Sequence, residues 1–206
     1  MRTHSLALSA AMALALAGAG CHKPNAAADT ANNAAATSNP VAAGAEDATA
    51  GAVGAAAATV GATTTAGFVT AAAVSDMYEI AAAKIAAQKS ANPAVKAFAA
   101  GMIHDHSAST AALKKILAGG QATATPPTAM DKRRDGMIGN LNAAAPADFD
   151  KTYMDQQVAA HGEALTLFKG FADHGDNDAL KAFAVKTAPT IQAHLDMAKR
   201  IDGALK

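Results

Sequence analysis

An all-α fold is what this 206-residue sequence predicts: four long helices in two matched hairpins, behind a disordered N-terminal tether. Three observations carry that reading. From about residue 66 the chain is dense in Ala, Leu, Lys, Gln and Met, all strong helix formers, and has no alternating run of β-branched residues. Helix punctuation stands at regular places: Asn92-Pro93, Gly119-Gly120, Gly175 and Asn177. The chain also echoes itself, with NPAVKAFA at 92–99 and NDALKAFA at 177–184, each following a long helical stretch across a tight turn.

Taken in order, the first helix is expected over 67–90. Asn92 caps the second, Pro93 takes its first position, and Gly119-Gly120 stops it after residue 118. A polar loop with Pro126-Pro127 follows, then a short helix over 129–141. The third long helix spans 147–174 and the fourth 177–201. Pro189 inside the fourth removes a backbone donor and is expected to kink it. Two hairpins with one long connection, from 119 to 146, form the crossover topology of a ferritin-like four-helix bundle, assigned to residues 66–206.

The N-terminal part reads differently. Arg2, an apolar run from Leu6 to Leu16 and the small residues Gly18-Ala19-Gly20 describe an export signal over 1–20, too short to span a membrane. Cys21 is the only cysteine, so no intramolecular disulfide can form. AGAGC resembles a bacterial lipobox, which makes Cys21 the lipid-anchor residue and the membrane a partner through it. His22 after the cysteine, in place of Asp, resembles lipoproteins of the outer membrane, and so predicts an envelope protein on the periplasmic side. Gly18 stands where such motifs carry an aliphatic residue, which leaves simple secretion as the alternative. Residues 21–65 are Ala-, Thr- and Asn-rich with hardly any large apolar side chain, and read as a disordered linker with an average span of about 35 Å.

The helical stripes point to a site. At spacings of four and three, Val95, Ala99, Met102, His106, Ser109, Leu113 and Ile116 share one face of the second helix. His104 lies on the opposite side, toward water, and Asp105 at the edge. Met154, Gln157, His161, Ala164, Phe168 and Phe171 form the inner stripe of the third long helix. Leu180, Ala184, Thr187, Ile191, His194, Ala198 and Ile201 form that of the fourth. The first helix offers two seams, one with Val69, Ala72, Asp76, Glu79 and Ala83, the other with Met77 and Ile80. Glu79 lies thirteen residues before Asn92 and His106 fourteen after it; His161 lies sixteen before Asn177 and His194 seventeen after. At about 1.5 Å per residue, each pair sits at a matching height on adjacent antiparallel helices.

The stretches SDMYEIAAAKIAAQKSANPAVKAFAAGMIHDHS, FDKTYMDQQVAAHGEALTLF and LKAFAVKTAPTIQAHLDMA resemble the bacterial family catalogued as domain of unknown function 4142. The resemblance runs over about residues 67–199. It implies exported proteins with a ferritin-like four-helix fold and brings no reaction with it. Glu79 in YEI, Asp105 and His106 in DH, His161, and His194 after PTIQA match its motifs.

A single transition-metal ion (Zn, Fe, Cu or Ni) held by Glu79, His106, His161 and His194, with Asp76, Asp105 and Gln157 supporting those ligands, is the leading reading. The competing one is a structural or interaction module of the envelope, met by a protein partner or a second copy, whose histidines form a buried polar network. A metal-dependent oxidoreductase is a third. Di-iron carboxylate chemistry is disfavoured, because Ile103 and Ile191 stand where Glu-x-x-His motifs need Glu. The chain lacks Cys-x-x-Cys-His, Gly-x-Ser-x-Gly and a phosphate-binding glycine loop, and its 17 basic residues balance 17 acidic ones, against a nucleic-acid partner. Met77 and Met102 read as core, and Lys114-Lys115 and Lys132-Arg133-Arg134 as solvated faces.

Overall fold

The computed structural model describes residues 61–205 together with Gly54, Ala58 and Thr59. The expected export signal, Cys21 and most of the expected linker lie outside the described residues. From Thr65 onward five helices follow: α1 (Thr65–Lys89), α2 (Pro93–Ala118), α3 (Lys132–Ala143), α4 (Pro146–His174) and α5 (Asp178–Ala204). No strand occurs among the described residues.

Helix starts follow their caps. The Thr64 hydroxyl accepts from Gly67 N, which sets the start of α1 at Thr65, two residues ahead of the sequence expectation. Asn92 Oδ1 accepts from Ala94 N and Val95 N ahead of Pro93, and Asn177 Oδ1 accepts from Leu180 N, so the two echoed motifs cap in the same way. The short helix begins at Lys132 instead of 129, because the Asp131 carboxylate accepts from Arg134 N. Gly120, at φ 68°, takes the left-handed conformation that closes α2. Pro189 lies inside α5, and the helix continues through it to Ala204. The carbonyl it leaves without a donor belongs to Val185, a residue 60 % exposed, where water can satisfy it.

The α1–α2 and α4–α5 hairpins close through three-residue turns, 90–92 and 175–177. Across the hairpins, α1 packs on α4 and α2 on α5, while α3 lies against α1 and α4. The inner seam of α1 is the line of Val69, Ala72, Asp76, Glu79 and Ala83, all buried, while Met77 and Ile80 are only half-buried. The packed region reaches ahead of residue 66: Ala58 and Ala62 join the cluster of Phe68 and Leu167. That approach needs Gly170, where an added Cβ would come within 2.7 Å of the Ala62 side chain.

The interior divides into two apolar clusters. One is built on Phe68, Phe168, Phe171 and Phe183, with Phe68 stacked on Phe171 at 4.2 Å between centroids. The other holds Tyr78, Phe98, Met102, Phe149, Tyr153 and Met154. Each of the four long helices passes from one cluster to the other at a polar residue. On α2, His106 falls between Met102 and Leu113; on α4, His161 between Ala160 and Ala164; on α5, His194 between Ile191 and Ala198; on α1, Asp76 between Ala72 and Tyr78. A polar layer therefore crosses the bundle at mid-height.

The crossover is pinned by charge. Lys89 Nζ, at the end of α1, donates to the carbonyls of Leu141, Asn142 and Ala144, satisfying the C-terminal end of α3. Arg134, only 3 % exposed, donates to Glu163 Oε2 at 2.7 Å and lies 4.6 Å over the Tyr78 ring. Arg133 reaches both oxygens of the same carboxylate. The sequence reading of Lys132-Arg133-Arg134 as a solvated face is thus corrected for Arg134: the capped turn at Asp131 directs it inward, where a buried carboxylate and an aromatic face receive it. Replacing Arg134 by Met leaves Glu163 buried with Arg133 alone. A loss of about 3 kcal/mol is expected in urea unfolding, most of it recovered in the Arg134→Met/Glu163→Leu double variant.

Candidate metal centre

Three imidazoles meet in the polar layer, one each from α2, α4 and α5. The ring centroids of His106, His161 and His194 stand 5.7, 5.7 and 5.4 Å apart, and one nitrogen of each lies within 4.8 Å of the others. All three side chains are buried. Phe98 stands beside His161 and His194, 6.3 and 6.4 Å between centroids, and forms an apolar wall.

Each ring is held by one nitrogen. His106 Nδ1 donates to Asp76 Oδ1 at 2.8 Å, and His161 Nδ1 to the Gln157 carbonyl of its own helix at 2.9 Å. His194 Nε2 donates to Asp105 Oδ2 at 2.9 Å. A carbonyl or carboxylate oxygen can only accept here, so each bond places the proton on the bonded nitrogen and leaves a lone pair on the other. Those other nitrogens, Nε2 of His106, Nε2 of His161 and Nδ1 of His194, have no hydrogen-bond partner.

The acceptors are themselves fixed. Asp76 Oδ2 accepts from the Thr110 hydroxyl at 3.0 Å. Asp105 Oδ1 accepts from His104 Nδ1 at 2.7 Å, and the two histidines hold the Asp105 carboxyl below its ordinary range against a desolvation that would raise it. Within MIHDHS, then, His106 faces in, His104 is exposed, and Asp105 joins His104 to His194.

Glu79 and Gln157 lie deeper. The Glu79 carboxylate, 1 % exposed, stands 3.7 Å from His161 Nδ1, the nitrogen already bonded to Gln157, and is not part of the three-nitrogen grouping. Burial raises its pKa against the pull of His106, Arg134 and the Gln157 amide, which lies beside it without reaching hydrogen-bonding geometry. The Tyr153 hydroxyl and the Gln157 amide are buried without partners, and burial, then Glu79, push the tyrosine well above its usual range. The histidines titrate in opposite directions. Burial, reinforced by His106, drives His161 well below the ordinary imidazole value, and burial lowers His194 against the hydrogen bond to Asp105. Burial would lower His106 as well, but Asp76, Glu79 and Asp105 outweigh it and raise it.

Chemically this is a pocket of imidazole donors with carboxylates behind two of them, the arrangement that orients imidazoles toward a divalent cation. A small cleft reaches His106 and His194 from outside; His161 is not among its lining residues. The periodicity placed the histidines inward, but it could not choose which carboxylate meets which ring. The stripes included Ser109 and Thr187 without assigning them a role, and Phe98, Ser75 and Thr190 were not singled out, because apolar and small polar residues at these spacings give no distinct signal.

Residues 50–201 match the model of the family described as a domain of unknown function, DUF4142. No curated protein and no solved structure matches the chain.

A pH dependence follows for the metal-free chain. Below about pH 6.5 the unfolded chain binds a proton at His161 that the folded chain refuses, so this stabilising contribution is present above that pH and lost as pH falls toward the depressed folded value. The gain in melting temperature from pH 5 to pH 7, measured in chelator, is expected to be smaller in His161→Gln than in the wild type. Equal gains would show that His161 titrates as in the unfolded chain.

Proposed function

The chain belongs to the DUF4142 family, and we propose that this member binds one transition-metal ion through His106, His161 and His194. The observation that supports this most directly is the meeting of three buried imidazoles, one nitrogen of each within 4.8 Å of the others, together with one unpartnered nitrogen on every ring. Buried imidazole nitrogens without a partner are costly, and a cation bound to them removes that cost. Zn, Cu, Ni and Fe(II) all accept neutral imidazole. An ion about 2.1 Å from each nitrogen would bring them to about 3.4 Å apart, a contraction within reach of modest side-chain rotation. Glu79 then acts as the charge behind His161, outside the coordination sphere. Three protein ligands leave a position open.

In this reading the two hairpins and crossover form a ferritin-like bundle with a mononuclear site in place of a di-iron one. The domain is carried on an envelope protein, exported by residues 1–20 and anchored to the outer membrane through lipidated Cys21, with 21–65 as its tether. Support comes from the N-terminal sequence pattern. No helix among the described residues is long and apolar enough to cross a membrane. One observation favours a second reading, in which the site is a structural polar network: the Asp76–His106 and Asp105–His194 bonds join α1 to α2 and α2 to α5.

Elemental analysis of the full chain, purified in detergent without chelator or polyhistidine tag and offered mixed divalent metals, separates the two. About one metal per chain is expected, lost in His106→Ala, His161→Ala and His194→Ala and retained in Glu79→Gln. Asp76→Asn is expected to weaken affinity about 10- to 100-fold. A chain that takes up no metal and melts at the same temperature with and without it would establish the network reading. Loss of metal in Glu79→Gln would return Glu79 to the ligand set.

A further inference from the structure

A cleft leads to the site, and four hydroxyl side chains stand around it. Ser75 of α1, Ser109 of α2, and Thr187 and Thr190 of α5 surround the cleft that reaches His106 and His194. Helical Ser and Thr side chains usually return a hydrogen bond to the carbonyl one turn back. Thr152 does so to Asp148, and Thr166 to Gly162. The four cleft hydroxyls have no such bond, so they are available to something in the cleft. From this, and resting on the metal reading above, we propose that the cleft delivers a small exogenous ligand of two or three non-hydrogen atoms, hydrogen-bond accepting and neutral or singly negative, to the open coordination position.

Size and charge narrow the class. The cavity volume is about 20 Å³, room for a ligand of a few atoms and too little for an organic metabolite. Phe168, Ala164 and Ile191 form its apolar side. The carboxylates of Asp76 and Asp105 accept from the imidazoles and together balance a divalent ion through them. With those carboxylates already offsetting a divalent ion, a neutral ligand adds no charge, a monoanion one and a dianion two, so the dianion is the most disfavoured. His106 and His194 line the cleft and His161 does not, so the ligand enters on the side of the first two. Azide and hydrogen peroxide are of this class; phosphate is not.

The test uses the full chain loaded with Co(II), whose visible absorption reports its coordination, titrated with azide and separately with inorganic phosphate. A saturable spectral change with azide and none with phosphate is expected. Thr187→Val and Ser109→Ala, which remove hydroxyls and touch no proposed ligand of the metal, are expected to keep full cobalt stoichiometry and to weaken azide about tenfold each. Cobalt bound with a spectrum that azide leaves unaltered would overturn the inference while the metal reading stands. Equal azide affinity in wild type and both variants would remove the cleft from it. A response to phosphate as strong as to azide would overturn the stated size and charge. Failure to take up cobalt would overturn the metal reading itself, and the inference with it.

Discussion

Burying an imidazole is tolerable only when its N–H finds an acceptor, and in this bundle that requirement falls on three helices at one level. The acceptors come from different places: a carboxylate across the first hairpin for His106, a carboxylate across the hairpin boundary for His194, and the helix's own backbone for His161. Two of the three bonds therefore fix how helices sit beside one another, while the third fixes only a ring. Apolar packing above and below could slide by a turn at modest cost; the polar layer cannot, because a displaced histidine would lose its acceptor in a medium that offers no other.

The two apolar clusters follow from that layer. The phenylalanine-rich one lies toward the start of α1, and the one with Tyr78, Phe98 and Tyr153 lies toward the α1–α2 turn. At the phenylalanine end, the Asp176 carboxylate accepts from both the amide and the hydroxyl of Thr65, tying the α4–α5 turn to the start of α1. At the other end Lys89 holds the carbonyls that finish α3. The arginine pair on α3 then closes the same crossover over Glu163 of α4. Fixed ends and a fixed middle hold the three imidazoles in place, which would reduce the ordering cost of the metal binding proposed above.

Helices and their limits were legible because they are local. Asn92-Pro93, Asn177 and Gly119-Gly120 act within a few residues of themselves, and the same motifs cap or end helices wherever they occur. The inward direction of His106, His161 and His194 was legible too, since a 3.6-residue period shares one face among residues three and four apart. Counting from the turns brought the histidines to one height. Buried Phe98, Phe183 and Leu195 fell outside the narrow stripes, because real helix faces in a bundle are wider than a strict four–three seam.

Tertiary structure decided the rest. The two seams of α1 differ by about one residue of rotation, and only packing against α2 and α4 turned Asp76 and Glu79 inward together. Whether Asp76 or Glu79 meets His106 is a matter of side-chain reach across a helix pair, which no spacing within one helix contains. The inward turn of Arg134 depended on a carboxylate 29 residues away. The sequence alone determined a helical hairpin pair with histidines facing its interior, since periodicity and capping are properties of a single chain segment. The closing of those rings into one site, with one nitrogen of each engaged and the other bare, belongs to the assembled fold, because each hydrogen-bond acceptor is set by the packing around its ring.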